Sequence, residues 1–198
     1  MSAVPAFEAG IWNAWILQVL FFLIMYIPNI FMSKEERESV NRGNDTAPLK
    51  NLSKTKKWLA LSTHIVIMPI VFIYSVFLPL KIGTAWLYVG LPIFVVALAM
   101  SLIATYNFAA TPVRDPVTGG IYRISRNPFY LSGFLLYVGT AVACASWILL
   151  LAAALWIVFW HIALPGEERF LLDKYGDAYR EYMNRAPRWI GMPKSGKA

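Results

Sequence analysis

The sequence predicts an all-α integral membrane protein: five transmembrane helices, the last two forming a C-terminal helical hairpin, then a cytoplasmic amphipathic helix. Three observations carry that reading. Of 198 residues, 58% are hydrophobic and 15% charged. A soluble domain has about 25% charged and roughly 45–50% apolar residues, and one this small has too much surface to hide such an excess. Apolar runs long enough to cross a bilayer recur along the chain. Lys and Arg, finally, are segregated into particular connections.

The first apolar run, 11–32, is about 22 residues and roughly 33 Å as a helix, enough for one crossing. No basic residue precedes it, and Met25-Tyr26-Ile27-Pro28 offers no small-residue cleavage site, so it is expected to stay as a span rather than leave as a signal peptide. The charged stretch Ser33–Lys57 holds Gly43, Asn44, Asp45 and Pro48 and reads as a loop. A second span covers 58–80, a turn at Pro79, Lys81 and Gly83 follows, and a third span covers 84–105. After the loop Tyr106–Pro128, the 35 residues Phe129–Ala163 contain no acid, Lys or Arg. One helix of that length would measure about 52 Å against a hydrocarbon core of about 30 Å. The run must fold back, and Ala143-Cys144-Ala145-Ser146 is the expected turn between spans 129–143 and 146–163. Gly133, Gly139, Ala141 and Ala152 to Ala154 permit close helix contact. The chain, 1–198, reads as one membrane domain.

Charge then sets the sides. Seven basic residues lie in Ser33–Lys57, three in Tyr106–Pro128 (Arg114, Arg123, Arg126) and seven after Pro165, while Lys81 alone falls on the other face. The positive-inside rule places those three segments in the cytoplasm and the N-terminus outside. The formal charge of +7 is therefore read as membrane anchoring, not as a nucleic-acid surface. A single cysteine, Cys144, permits neither an intrachain disulfide nor a Cys-rich zinc site, and no metal is expected.

Chemistry is expected where polar residues gather against the membrane, in the cytoplasmic segments 112–130 and 165–189. The first holds Gly119, Gly120, Tyr122, Arg123, Arg126, Asn127, Pro128 and Tyr130. The second opens at Pro165-Gly166-Glu167-Glu168, and the hairpin brings the two together. Beyond Glu168, Leu171, Tyr175, Ala178, Tyr179 and Tyr182 recur at helical spacing, one apolar face that either caps the mouth of the bundle or lies on lipid headgroups. Arg123 and Arg126 read equally as anchors, and Glu167 and Glu168 as favourable acids in a first helical turn.

The pattern Gly120-x-Tyr122-x-x-x-Arg126-x-Pro128-x-Tyr130, a helical hairpin, then Glu167-Glu168-x-x-Leu171-x-x-x-Tyr175-Gly176-x-x-Tyr179-x-x-Tyr182 resembles the isoprenylcysteine carboxyl methyltransferase and phospholipid methyltransferase family. The resemblance covers about Pro116 to Arg188, and the five-span layout is similar to the family's short prokaryotic members. It implies a multi-pass enzyme of a bacterial or archaeal cytoplasmic membrane. It also implies S-adenosylmethionine as methyl donor, S-adenosylhomocysteine as product and a lipid-like or amphipathic acceptor. Carried over by position, Val117, Gly120, Tyr122, Asn127, Pro128, Phe129, Tyr130 and Glu167 would bind the cofactor, and Asn127, Arg126 and His161 are the candidates for a catalytic role. Aromatic faces attract a sulfonium cation, and a carboxylate accepts hydrogen bonds from an ammonium or a ribose.

Two positions depart from the family pattern. Asn127 stands where the family usually has His, and it cannot titrate near neutral pH. Ala163 stands where the carboxyl methyltransferases keep an Arg, and no Lys or Arg occurs between Arg126 and Arg169. Free prenylcysteine carboxylates are therefore expected to be poor acceptors, and neutral or amine-type amphiphiles better ones. Membrane sterol reductases resemble the same C-terminal pattern, with Arg114, Arg123 and Arg126 available for the 2′-phosphate of NADPH. A non-enzymatic membrane scaffold is the third reading.

Overall fold

The computed structural model describes residues 10–45 and 68–193. Seven α-helices occur among them: α1 (Trp15–Phe31), α2 (Lys34–Asp45), α3 (Met68–Val76), α4 (Ala85–Ala109), α5 (Pro128–Ala143), α6 (Trp147–Tyr175) and α7 (Asp177–Arg185), with a 3-10 turn at Gly120–Arg123 before α5. The all-helical expectation holds for these residues. Residues 58–67 of the expected second span lie outside the described residues, as do 46–57 of the loop before it.

The helices α4 and α6 are long and apolar enough to cross a membrane, and α1 (over Trp15–Ile27) and α5 are shorter apolar helices. Leu23, Ile73, Val95, Leu151 and Val158 are all exposed around the bundle. That outward apolar surface is what a bilayer solvates. This is a membrane protein.

At one end of the bundle the chain ties itself together through backbone bonds. Ala14 N–H donates to Leu78 O (2.8 Å), Leu80 N–H to Trp12 O (3.0 Å) and Lys81 N–H to Ala143 O (3.0 Å), while the Asn13 amide donates to Val76 O (2.7 Å). The expected turn follows, with Gly83 at φ +74°. Of the small residues singled out above, Gly133 receives Trp156 of α6, within the hairpin. Gly139 instead meets α4: a methyl there would fall 2.6 Å from Phe94 N, so backbone lies directly on backbone. Ser101 Oγ donates to Ser132 Oγ across the same α4–α5 seam (2.7 Å).

The hairpin turns where the sequence places it. Helix α5 ends at Ala143, Ala145 adopts φ +52°, and Ser146 caps α6 by accepting from Leu149 N–H (3.3 Å). Two expectations need correction. The helix does not stop at 163 before a separate one from Pro165; α6 runs through Pro165 to Tyr175. Proline removes one helical hydrogen bond, at a cost of about 3 kcal/mol. Here fully buried Leu164 and the paired carboxylates of Glu167 and Glu168 hold the next turns in place. The break comes at Gly176, whose φ of +56° ends α6 and starts α7. The stripe from Leu171 to Tyr182 is thus shared by two helices, which together pack Tyr179 and Tyr182 against Tyr122, Val117 and Ala104.

The second correction concerns Ser33–Lys57, expected as a loop. Its first part is helix α2, opened by a reciprocal capping box: Ser33 N–H donates to Glu36 Oε2 (2.8 Å) and Glu36 N–H to Ser33 Oγ (3.2 Å). Ser39 is buried, and α2 packs against α4.

Candidate functional site

A cavity of about 600 Å³ lies where α1 meets α2 and α5 begins, walled also by α4, α6 and α7. Its best-anchored wall is the connection 116–130. Gly120, at φ +59°, lets the chain turn tightly over Asn107, whose Oδ1 accepts from Ile121 N–H (3.0 Å). The following turn presents Tyr122, whose carbonyl accepts from Tyr182 Oη (2.7 Å). Phe108 packs edge-on against Tyr122, with ring centres 5.6 Å apart, and lies 5.9 Å from Phe129. A ring of π faces results.

Pro128 occupies the first turn of α5, where its missing N–H costs nothing. Asn127 stands just before it. Its amide donates to Arg188 O (3.0 Å), and its backbone N–H donates to Ser125 Oγ (3.1 Å). This position uses a side-chain donor, and an amide supplies one without titrating.

Glu167 and Glu168 face different surroundings. Tyr130 Oη donates to Glu167 Oε2 (2.8 Å), and the Tyr130 ring stacks on Trp160 at 3.8 Å. Trp156 Nε1 fixes the same residue by donating to Tyr130 O (2.9 Å). Glu167 lines the cavity one turn beyond the apolar stretch that ends at Leu164. Burial raises its carboxyl to about pKa 7; the Tyr130 hydrogen bond opposes that shift and the neighbouring charge of Glu168 adds to it.

Glu168 is buried in a network of its own. Arg126 Nη2 lies 3.0 Å from its Oε1, and Arg188 donates through Nη2 (2.6 Å) and Nε (3.1 Å). Arg126 also donates through Nη1 to Met183 O (3.2 Å), and its backbone N–H donates to Pro187 O (2.9 Å). Together with Gly191 N–H donating to Ile124 O (3.1 Å), these bonds strap the segment after α7 across the 124–127 connection. Arg126 lines the cavity, and its buried Nε–H has no acceptor among the described residues.

Of the positions expected to hold a cofactor, Val117, Tyr122, Asn127, Pro128, Phe129, Tyr130 and Glu167 all line this cavity, as does the catalytic candidate Arg126. Gly120 does not; it shapes the connection. His161 does not either: it is exposed on α6 and accepts at Nδ1 from Trp189 Nε1 (3.2 Å). Ala163 is buried in a cluster with Phe159 and Trp160. Arg114 and Arg123 are exposed and lie outside the lining. Sequence reasoning missed the opposite wall, made by Phe21, Phe22, Met25 and Tyr26 of α1 and Arg37, Val40 and Asn41 of α2. The Ser33-x-x-Glu36 capping signature was the available signal for α2.

The fold and cavity define a helical membrane protein with an aromatic chamber, closed on one side by a carboxylate of raised pKa. Residues 59–178, more than half of the chain, match the family described as phospholipid methyltransferase. The chain belongs to that family. Protein-S-isoprenylcysteine O-methyltransferase B of Arabidopsis thaliana is 41% identical over 78 residues, covering 37% of this chain and 38% of that one. Protein-S-isoprenylcysteine O-methyltransferase of Schizosaccharomyces pombe is 33% identical over 78 residues (38% and 33%). Methanethiol S-methyltransferase 1 of Bradyrhizobium diazoefficiens is 36% identical over 86 residues (43% and 29%). The matched stretches thus span well under half the length of these curated relatives.

Proposed function

We propose that the protein transfers a methyl group from S-adenosylmethionine to a lipid-like or amphipathic acceptor at the cytoplasmic membrane face. The observation that carries this reading is the Tyr130–Glu167 pair, set in an aromatic wall of a chamber whose volume suits a small-molecule cofactor, about 300–1,000 Å³. The residues present fit the cofactor. Tyr122, Phe129 and Tyr130 offer π faces to a sulfonium, Glu167 offers a carboxylate to an ammonium, and the unaccepted Nε–H of Arg126 offers a donor to an anion.

When bound, the cofactor supplies an electrophilic methyl group, and its displacement needs alignment and a dry site more than acid–base help. This chain's residues provide both. Tyr130, clamped by Trp156 and Trp160, holds the Glu167 carboxylate at one position, while Tyr122 and Phe129 are fixed by the strapped connection. The aromatic side chains of the lining give the chamber a largely apolar surface. Of the three arginines the reductase reading requires, Arg114 and Arg123 lie outside the lining.

The five-span layout of one membrane domain, with N-terminus outside and C-terminus cytoplasmic, belongs to the same reading and rests on the positive-inside pattern. In a Cys144→Ala background, cysteines placed at 45 and 195 are expected to label from the same side, and labelling from opposite sides overturns the layout. For the activity, thermal unfolding of the full chain with S-adenosylhomocysteine is the direct test. Ligand at about 100 times its dissociation constant should stabilise the fold by about 2.7 kcal/mol. Stabilisation by NADPH instead would reverse the assignment.

A further inference from the structure

The segment that straps the 124–127 connection has a second, outward side. On its inner side the chain is tied at almost every residue. Pro187 O accepts from Arg126 N–H (2.9 Å), Arg188 donates to Glu168 through Nη2 and Nε, Trp189 Nε1 donates to His161 Nδ1 (3.2 Å), and Gly191 N–H donates to Ile124 O (3.1 Å). Yet this well-held strap leaves its large apolar side chains uncovered. Ile190 is 70% exposed and Met192 92%, and Ile124, beside Gly191 on the connection, is exposed as well.

Single exposed apolar side chains are ordinary on any protein surface. These are grouped, and a grouped apolar patch marks an interaction surface. They also continue the surface of α6 that a bilayer solvates. Trp189 packs on the α6 cluster of Phe159, Trp160 and Ala163, and its ring stacks on His161 with centres 6.3 Å apart. Val158 and Ile162, at i−3 and i+1 from His161, share its exposed side of the helix. The strap therefore lies along the outward side of α6, close to where that helix's apolar stretch ends at Leu164. Tryptophan is enriched at that depth because its ring is apolar and its N–H is polar. Arg123, exposed next to Ile124 and outside the cavity lining, adds a cation of the kind that phospholipid headgroups attract. We propose that Ile124, Trp189, Ile190 and Met192 form a membrane-docking surface. They seat in the phospholipid interface of the leaflet at the cavity end, and that docking steadies the strap that carries Arg188 to Glu168.

The test uses the full chain in phospholipid nanodiscs, one copy per disc. In a Cys144→Ala background, Ile190→Cys and Met192→Cys carry an environment-sensitive fluorophore, and Asn184→Cys on the exposed polar side of α7 serves as the reference. A side chain seated about 5–10 Å into the headgroup and acyl boundary is within reach of a quencher placed high on the lipid chain. Probes at 190 and 192 should be quenched about twofold or more by such lipids, and the probe at 184 should not. The second measurement needs no probe. Ile190→Ser combined with Met192→Ser should speed hydrogen exchange at the Arg126 and Gly191 amides by about tenfold, with α5 unchanged. Ile190→Leu combined with Met192→Leu should keep the wild-type rates. Probes at 190 and 192 quenched no more than the one at 184 overturn the proposal, as do strap amides that exchange alike in the Ser and Leu variants. An emission shift that needs two copies per disc, without lipid quenching, assigns the patch to a second copy of the chain and overturns it as well.

Discussion

The cavity has two walls built on different physical terms. The wall formed by the 116–130 connection, α5, α6 and α7 is held by buried ion pairs, backbone bonds between distant segments and stacked aromatics. Most of it lies inside the stretch 59–178 that matches the family. The α1–α2 wall lies wholly outside that stretch. Its cavity residues are largely exposed, and α2 is held by a capping box and by packing on α4. A cofactor common to many acceptors suits a rigid wall; recognition of one acceptor suits the lightly held one. Substitutions in the first wall should therefore cost stability or cofactor affinity, and those in the second should alter acceptor choice.

The largest effect is expected at Glu168. Its carboxylate is shared by Arg126 and Arg188, with side chains 9% and 33% exposed. Glu168→Gln leaves both guanidiniums without their counter-ion, and breaking a buried pair costs roughly 3–5 kcal/mol. Denaturant unfolding in detergent should show that loss. A Glu168→Gln protein as stable as the wild type would mean the strap does not hold the connection.

Glu167 should behave in the opposite way. Glu167→Gln keeps an acceptor for Tyr130 but removes the charge offered to an ammonium, so stability should change little. Affinity for S-adenosylhomocysteine should fall about 10- to 150-fold, corresponding to roughly 1.5–3 kcal/mol. The raised carboxyl pKa adds a pH signature. With its pKa at about 7, Glu167 is mostly protonated at lower pH and must lose a proton to pair with the ligand's ammonium. Affinity should thus rise by up to about tenfold per pH unit on approaching 7 from below, then level off. Calorimetric titrations across that range should show the slope in the wild type and lose it in Glu167→Gln. A slope that survives belongs to another group.

The same contrast explains what was legible in the sequence. Apolar runs and Lys/Arg placement are one-dimensional signals, and they located α1, α4 and the hairpin turn at Ala143–Ser146 to within a few residues. The wall proposed to hold the cofactor was legible because its residues cluster in two short motifs, and Tyr122, Tyr130 and Glu167 do line one cavity. Local rules failed where tertiary contacts override them. Pro165 reads as a break, yet buried Leu164 and the paired carboxylates carry α6 past it. His161 reads as the nearest polar group to the hairpin's end, but its helical position puts it on the exposed side, bonded to Trp189. Glu167 and Glu168 are equivalent as letters; only their partners, Tyr130 in one case and two arginines in the other, separate a chamber-lining group from a structural one. The second wall was missed because a charged, Gly- and Asn-containing stretch looks like a loop unless the capping box is weighed.

The smallest effect sharpens the comparison most. Ser33 is exposed and does not itself line the cavity, but its hydroxyl accepts from Glu36 N–H and its backbone N–H donates to Glu36. Ser33→Ala removes the first of these bonds, and loss of a helix cap costs about 1 kcal/mol. Spread over a helix of 12 residues, that should appear as local opening rather than global unfolding. Hydrogen exchange should therefore speed about fivefold in the α2 amides, with α5 and α6 unchanged. If the α1–α2 wall serves acceptor recognition and not the cofactor, S-adenosylhomocysteine should bind as before in the same variant. A loss of that affinity alongside the faster exchange would show that the two walls are coupled, and the division of labour between them would fall.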